Sequence, residues 1–173
     1  MSNIKQAPFL GLIGLGGGGT GLTVGGSATK EIWVDDFFDI HLRKSAGAVA
    51  NVNVGMDLSD EGGLVWTKAR NLNSWNVLYD TARGGNYSLT SNDGSGQASN
   101  VAGAVTFNSN GYSIAAGYGE NNASGYTYVD WVFKKQQGFF DIVEWVGNSD
   151  TNQTISHNLG CKPGVIIIKC KNT

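Results

Sequence analysis

One motif occurs twice in this sequence, about a hundred residues apart, and the repeat limits how the chain can be divided into domains. Phe37–Ile40 reads FFDI, and the same four residues recur 102 positions later at Phe139–Ile142. Further identities follow at an offset of 101: Leu58, Gly63, Lys68 and Asn71 recur as Leu159, Gly164, Lys169 and Asn172. Solenoid repeats are shorter, at about 20 to 50 residues, so this period indicates a whole repeating module.

The repeat predicts three regions. Residues 1–30 precede the first copy, residues 31–137 form one complete module, and residues 138–173 begin a second one. The second copy reaches Thr173, which aligns with Leu72 of the first. We therefore expect the sequence to be the front of a longer protein, truncated within its second module.

The complete module has the pattern of short β-strands separated by turns. Apolar, aromatic and β-branched segments recur about every ten residues, and no helical periodicity is sustained over eleven residues. Asn108–Gly111 predicts a hairpin turn, and Tyr126–Phe133 is the strongest strand candidate. Strands are predicted at 32–34, 37–42, 49–54, 64–66, 75–79, 87–89, 104–107 and 112–115 as well. The prediction is an all-β, antiparallel β-sandwich, jelly-roll-like, with an extended Gly-rich N-terminal arm and the start of a second β-module.

The arm, residues 8–26, is apolar, rich in glycine and free of charged residues. A secretory signal would need a basic start and a cleavage site, and a transmembrane helix would contain fewer glycines. Gly14-x-Gly16-x-x-Gly19 matches a dinucleotide-binding fingerprint, but no amphipathic helix follows to hold a pyrophosphate. We exclude the nucleotide site, and we do not expect a membrane span.

Two interpretations of the arm remain. It is either a flexible tail, or an anchor that becomes ordered when it is buried against a partner protein, since glycine costs entropy to order. We favour the anchor. Its predicted contact residues are the large apolar ones: Phe9, Leu10, Leu12, Ile13, Leu15, Leu22 and Val24.

Composition narrows the possible partners. Charged residues make up 15% of the chain and the net charge is −2. Nucleic-acid binding needs a basic surface that neutralises phosphates, so we expect no nucleic-acid partner. The two cysteines, Cys161 and Cys170, do not recur between the copies and predict no disulfide framework.

The sequence contains no residue pattern that predicts a catalytic or metal-binding site. His157 and Cys161 have a spacing that metals use, but two ligands do not make a site. The adjacent carboxylates at 35–36 and 60–61 are interpreted as turn residues, and the loop that starts at Asp93 lacks the acidic series of a calcium loop. We predict no catalytic residue, no cofactor and no metal, and therefore no enzyme.

Two other groups of residues have a structural and a functional interpretation. Tyr126 and Tyr128 should face one side of their strand, and Trp131 and Phe133 the other. Core packing is favoured for them over a sugar-stacking surface. Arg70, Asp80 and Arg83 are predicted to form an ion pair that holds two loops together.

The order and spacing of several segments resemble virion proteins of tailed phages, especially marine and cyanobacterial ones. They are a glycine-rich start, VDDFF, LSDEGGLVWTKAR, NVLYDTARG, AVTFNSNGYSI, YTYVDWVFKKQQGFFDIVEWVGN and ISHNLGCKPGVIIIK. Such relatives are usually called tail-fibre proteins. The resemblance implies a virion component whose N-terminus is attached to the phage tail, with no catalytic residue to carry over.

The resulting hypothesis is a tail-fibre protein located in the virion. Its expected partners are tail, adaptor or nozzle proteins at the arm, two further copies in a homotrimer, and a host-surface receptor through a missing C-terminal part. The alternatives are a module that binds or depolymerises host glycans, and a capsid decoration protein.

Overall fold

The computed structural model of the chain describes residues 32–99, 104–117 and 119–172. A single 3-10 turn, Val34–Asp36, precedes nine strands, and no α-helix occurs in these ranges. The strands are β1 Phe38–Lys44, β2 Ala50–Asn53, β3 Gly63–Ala69, β4 Val77–Asp80, β5 Tyr87–Thr90, β6 Ala98–Ser99, β7 Val105–Asn108, β8 Gly111–Ile114 and β9 Thr127–Lys134. All of them lie within residues 31–137, the predicted first module.

The strands form two antiparallel sheets that pack together. The larger sheet has six strands in the order β1-β9-β3-β4-β5-β6, and the smaller has three in the order β2-β8-β7. The last strand of the module, β9, lies between β1 and β3, where Ile40 and Trp66 both pair with Trp131. This architecture confirms the predicted all-β sandwich.

The core between the sheets is built from alternate residues of the paired strands. In β3, Val65 is fully buried, while its neighbours Leu64 and Trp66 face the other side of the sheet. The buried side chains of the core come from both sheets and the loop after β2: Val52, Met56, Leu58, Val65, Val77, Tyr79, Val105, Tyr112, Ile114 and Val132. Burial of this apolar surface is the main stabilising contribution to the sandwich.

The hairpin predicted at Asn108–Gly111 is confirmed as the connection between β7 and β8. Gly111 has a φ of 139°, and a Cβ atom at this position would lie 2.2 Å from the carbonyl oxygen of Val52. Only glycine fits here, because a side chain would meet the backbone of β2 and the φ value is one that L-residues rarely adopt.

Two local predictions were wrong. Residues 32–34 were expected to be a strand, but a 3-10 turn begins at Val34, stabilised by a hydrogen bond from the backbone N–H of Trp33 to the Asp36 carboxylate, at 2.8 Å. The strand expected from residue 75 begins at Val77 instead. Trp75 lies in the preceding loop and is 49% exposed, so no cross-strand partner holds it in the sheet.

Residues 139–172 contain no strand in the described part of the chain, apart from one isolated bridge between Gln136 and Phe140. In the first copy of the repeat, β1 and β3 both pair with β9, which follows them in the chain. In the second copy, residues 139–172 form no strand that corresponds to β9. Its assignment to a second module stays a prediction.

Candidate functional site

The predicted anchor residues, Phe9, Leu10, Leu12, Ile13, Leu15, Leu22 and Val24, lie outside the residues that the structure describes. The described part of the chain offers other candidate features: buried charges, ion pairs, clefts and exposed apolar areas.

A buried polar network crosses the interior beside the hydrophobic core. Asp130, which is fully buried, accepts hydrogen bonds from Arg43 Nε at 2.5 Å and from the Tyr112 hydroxyl at 2.7 Å. Arg43 also donates to the carbonyl oxygen of Asn121 and lies 4.5 Å from the ring centre of Tyr128. Sequence analysis did not find this network, because its members lie on β1, β8, β9 and the loop between β8 and β9.

The electrostatics of the network indicate a structural role. Burial, reinforced by the charge of Asp130, raises the pKa of Tyr112 well above its ordinary value, so the hydroxyl stays protonated and donates to Asp130. The side chains of Arg43 and Asp130 are 7% and 0% exposed. A substrate cannot reach these groups, and their contacts connect the two sheets to the loop that carries Asn121.

The carboxylates considered as candidate catalytic groups serve turns and ion pairs. Asp36 accepts from the backbone N–H of Trp33, and Glu61 forms an ion pair with Lys134 at the end of β9. Asp80 pairs with Arg83, with 2.6 Å between Arg83 Nε and an Asp80 oxygen. The two residues are three positions apart, so the ion pair stabilises one turn, and the prediction that it joins two loops was wrong. Arg70 is exposed, and its backbone N–H donates to the carbonyl oxygen of Thr127 instead.

No metal site is formed by the side chains that the structure describes. Within residues 32–99, 104–117 and 119–172, no group of three or more His, Cys, Asp or Glu residues is placed to hold an ion. His157 Nδ1 accepts a hydrogen bond from the backbone N–H of Leu159, and Cys161 is exposed. The same ranges contain no helix that is long and apolar enough to cross a membrane.

The side of the six-stranded sheet that faces away from the core is apolar, and we call it the outer face. One row of cross-strand neighbours runs over five strands: Ile40, Trp131, Trp66, Leu78 and Leu89. The rings of Trp131 and Trp66 are 5.6 Å apart. In an antiparallel sheet with one face on the core, the other face is usually polar, so this row is unusual.

The outer face extends to both sides of that row. Phe38 pairs with Phe133, and their rings are 4.9 Å apart. Leu42 pairs with Val129. Ile40 and Leu42, on the edge strand β1, are 53% and 59% exposed. Apolar areas of this kind, exposed on a protein surface, mark interaction sites.

Residues 139–172, which we call the C-terminal segment, cover one corner of the outer face. The ring centre of Phe133 lies 5.1 Å from that of Phe140 and 6.4 Å from that of Phe139. Farther along, the segment also contacts the loop between β5 and β6, where Lys169 Nζ donates to the carbonyl oxygen of Asp93 and the N–H of Gln97 donates to that of Lys171. The run of apolar residues from Val165 to Ile168 is 68% to 81% exposed.

The sequence predicted the orientation of the aromatic pair in β9 but not the outer face. Tyr128 is fully buried on the core side, and Trp131 and Phe133 lie on the opposite side, as expected. The prediction of core packing is therefore correct for Tyr128 and wrong for Trp131 and Phe133, which lie on the outer face. The signal for the outer face was available in the apolar run Leu64–Trp66, which does not alternate with polar residues. A strand that is apolar on both sides is buried on both sides or faces a partner.

The described residues thus form an all-β sandwich with a buried polar network and an apolar outer face. Residues 34–173 match the family described as "Domain of unknown function (DUF7483)", and the chain belongs to that family. The match includes the sandwich and the C-terminal segment. No curated protein and no solved structure matches the chain.

Proposed function

We propose that this chain is a structural protein of a phage virion, the N-terminal attachment part of a tail fibre that links the tail to distal host-recognition modules. Two features support the proposal: the resemblance in sequence to tail-fibre proteins, and the apolar outer face of the six-stranded sheet. The outer face carries the argument, because it gives the sandwich a surface for assembly with other protein chains.

The proposed occupant of the outer face is a neighbouring copy of the chain. With strands about 4.8 Å apart, one row of side chains over five strands and a flanking pair on each side of it across β1 and β9 give an apolar area of roughly 300 Å². Stable interfaces bury about 800 Å² per partner, so one such contact holds two copies only weakly. Three copies closed around an axis form three contacts at once, which favours a homotrimer over a dimer.

Attachment to the tail belongs to the N-terminal arm in this proposal. Its apolar residues, from Phe9 to Val24, would be buried against tail, adaptor or nozzle proteins. Contact with the host-surface receptor would be made further along the fibre. The sandwich itself would act as a rigid spacer that sets the distance between the tail and the distal modules.

Sedimentation of the purified chain tests the assembly part of the proposal. We expect a trimer at micromolar concentration for the wild type. Leu42→Glu places a charge on the outer face and should shift the protein to monomer without changing its circular dichroism spectrum. Val49→Glu is the matched control, because Val49 is an exposed aliphatic residue outside the outer face, at 64% against 59% for Leu42. A wild type that sediments as a monomer, or a Leu42→Glu variant that still forms trimers, contradicts the assembly role.

Electron microscopy of particles from a phage that encodes the chain tests the location. Gold-labelled antibodies against the sandwich should mark fibres close to the tail. Label distributed over the capsid would instead favour a decoration protein, and unlabelled particles would overturn the virion assignment altogether.

A further inference from the structure

The two sheets of the sandwich differ in width, so part of the larger sheet lies beyond the smaller one. The core residues that the larger sheet contributes come from β3, β4 and β9, and none come from β5 or β6. The register places Thr90 beside Val77, and Ser88 beside Ala98, on the core side of the sheet. Small and hydroxyl-bearing side chains therefore occupy the part of the inner face that the second sheet does not cover.

A cleft of about 210 Å³ opens at this place. One of its walls is Trp75, which is half-exposed. The polar residues that line it are Ser88, which is 3% exposed, and Thr90, Asp93, Ser95 and Glu120. An aromatic side chain next to a few convergent polar groups is the usual composition of a small-molecule site.

Hydrogen bonds fix the two loops that form the cleft. Next to Trp75, the backbone N–H of Asn76 donates to the side chain of Asn92 at 2.8 Å, and the N–H of Ser91 donates to the carbonyl oxygen of Asn76 at 2.9 Å. The walls are thus held in place without a ligand, which lowers the entropic cost of binding one.

The Asp93 carboxylate is held in the same way. It accepts hydrogen bonds from the backbone N–H of Ser95 at 2.5 Å and from the Thr90 hydroxyl at 3.2 Å. These bonds, with the Ser95 backbone first, lower the pKa of Asp93 below its ordinary value. Lys169, the nearby cation, donates to the backbone carbonyl of Asp93 at 2.6 Å. Asp93 therefore offers an ionised acceptor at neutral pH.

The chemistry of the cleft matches a sugar ring. A pyranose has an apolar C–H face that can lie on an indole, and hydroxyl groups that donate to carboxylates in short, charge-assisted hydrogen bonds. Both ionisable side chains lining the cleft are acidic, and the charge of Lys169 offsets only part of theirs, so an acidic sugar should bind more weakly than a neutral one. We propose that this cleft binds one uncharged saccharide ring, stacked on Trp75 and hydrogen-bonded to Asp93.

The inference goes beyond the assembly role and is independent of it. Val77 and Thr90 face the core side of the sheet, whereas the outer face lies on the opposite side. A chain that fails to form trimers can still bind a sugar in this cleft, and a chain that binds no sugar can still assemble.

Titration followed by NMR tests the saccharide site. The probes are glucose, galactose and N-acetylglucosamine, with glucuronic acid as the acidic comparison. We expect at least one neutral sugar to shift the indole N–H resonance of Trp75 in a saturable way, and glucuronic acid to bind several-fold more weakly. The site is overturned if no neutral sugar gives a saturable shift at Trp75, or if glucuronic acid binds as well as the neutral sugars.

Variants separate a binding role of Trp75 from an effect on folding. Trp75→Ala should weaken binding by about tenfold or more, the loss expected when an aromatic contact of this kind is removed. Trp75→Phe, which keeps a ring, should retain part of the affinity. Trp145→Ala is the matched control, since Trp145 is a similarly exposed tryptophan outside the cleft, at 43%. Equal losses of sugar affinity in Trp75→Ala and Trp145→Ala would contradict the proposal that the sugar binds at Trp75.

Discussion

At the residue scale, Asp130 stands out as a carboxylate that is fully buried. It lies in the central part of the larger sheet, on β9, and takes hydrogen bonds from Arg43 on β1 and from Tyr112 on β8 of the smaller sheet. A carboxylate buried at this depth is tolerated because a guanidinium and a hydroxyl replace its water. Removing this carboxylate would therefore take away the buried acceptor of both Arg43 and Tyr112.

We therefore expect Asp130→Asn to be strongly destabilising. The substitution leaves the guanidinium of Arg43 buried without its counter-charge, which typically costs about 3–5 kcal/mol. The free energy of unfolding, measured in urea, should fall by an amount in that range.

The matched control for Asp130→Asn is Glu144→Gln. Glu144 pairs with Lys171 at 3.0 Å, but both side chains are about 40% exposed, at 38% and 42%. Exposed pairs contribute less than about 1 kcal/mol, so this variant should unfold almost like the wild type. Similar losses of unfolding free energy in the two variants would show that the buried pair of Asp130 and Arg43 contributes no more to stability than an exposed pair does.

At the element scale, the contrast between β3 and its counterpart in the C-terminal segment shows what a strand requires. Gly63–Ala69 and the segment from Gly164 are similar in sequence, but only the former has partners on both sides. The latter, without partners in the described part of the chain, forms no strand. Propensity alone does not form a sheet, because the backbone hydrogen bonds need a second strand.

Asp141 helps to attach the C-terminal segment to residues 135–138, which follow β9. Its carboxylate accepts from Lys135 Nζ at 3.0 Å and from the backbone N–H groups of Asn158 and Ile142 at 2.7 Å and 2.9 Å. Burial raises the pKa of Asp141, but these hydrogen bonds outweigh that effect and hold the pKa below its ordinary value. The segment is thus held by the ionised form of the side chain.

This predicts an acid-dependent release of the segment. Because the folded-state pKa is lowered, the stabilisation is complete above the unfolded-state pKa of about 4. It is lost as the pH falls further, through the lower folded-state value. The amide resonance of Asn158 should move towards its position in an unfolded peptide below about pH 4. In Asp141→Asn, which cannot ionise, this transition should be absent, and an unchanged transition would assign it to another group.

At the scale of the whole molecule, we predict that the sandwich folds without the N-terminal arm. The core residues that the structure describes begin at Val52, and the family match begins at residue 34. Residues 1–26 precede both in the chain. In the proposed function, their role is attachment to the tail.

Deleting residues 1–26 should accordingly leave the fold intact and remove the attachment. The truncated chain is expected to melt within a few degrees of the full chain, since the described core residues and the family match all lie after residue 33. Phage that carry the truncation should assemble particles without these fibres, as judged by negative-stain electron microscopy. Particles with normal fibres would contradict the anchor and leave the arm as a flexible tail.

The sequence predicted most strands and the hairpin because the signals for them are local. Alternation of side chains and turn residues such as those at Asn108–Gly111 act over a few positions of the chain. The misplaced start of β4 and the wrong strand at residues 32–34 have one cause. In the sequence, a short apolar run next to a turn looks the same whether or not a partner strand lies beside it in the folded protein.

The sequence by itself determined the fold class and the orientation of the side chains in β9. The tertiary structure alone decided that β9 lies between β1 and β3, because that pairing joins residues about 90 positions apart in the chain. The same non-local pairing created the buried contact of Asp130 with Arg43, the apolar row on the outer face and the cleft beside Trp75. Each of these needs side chains from separate strands or loops to meet, and no pattern of neighbouring residues encodes which of them will do so.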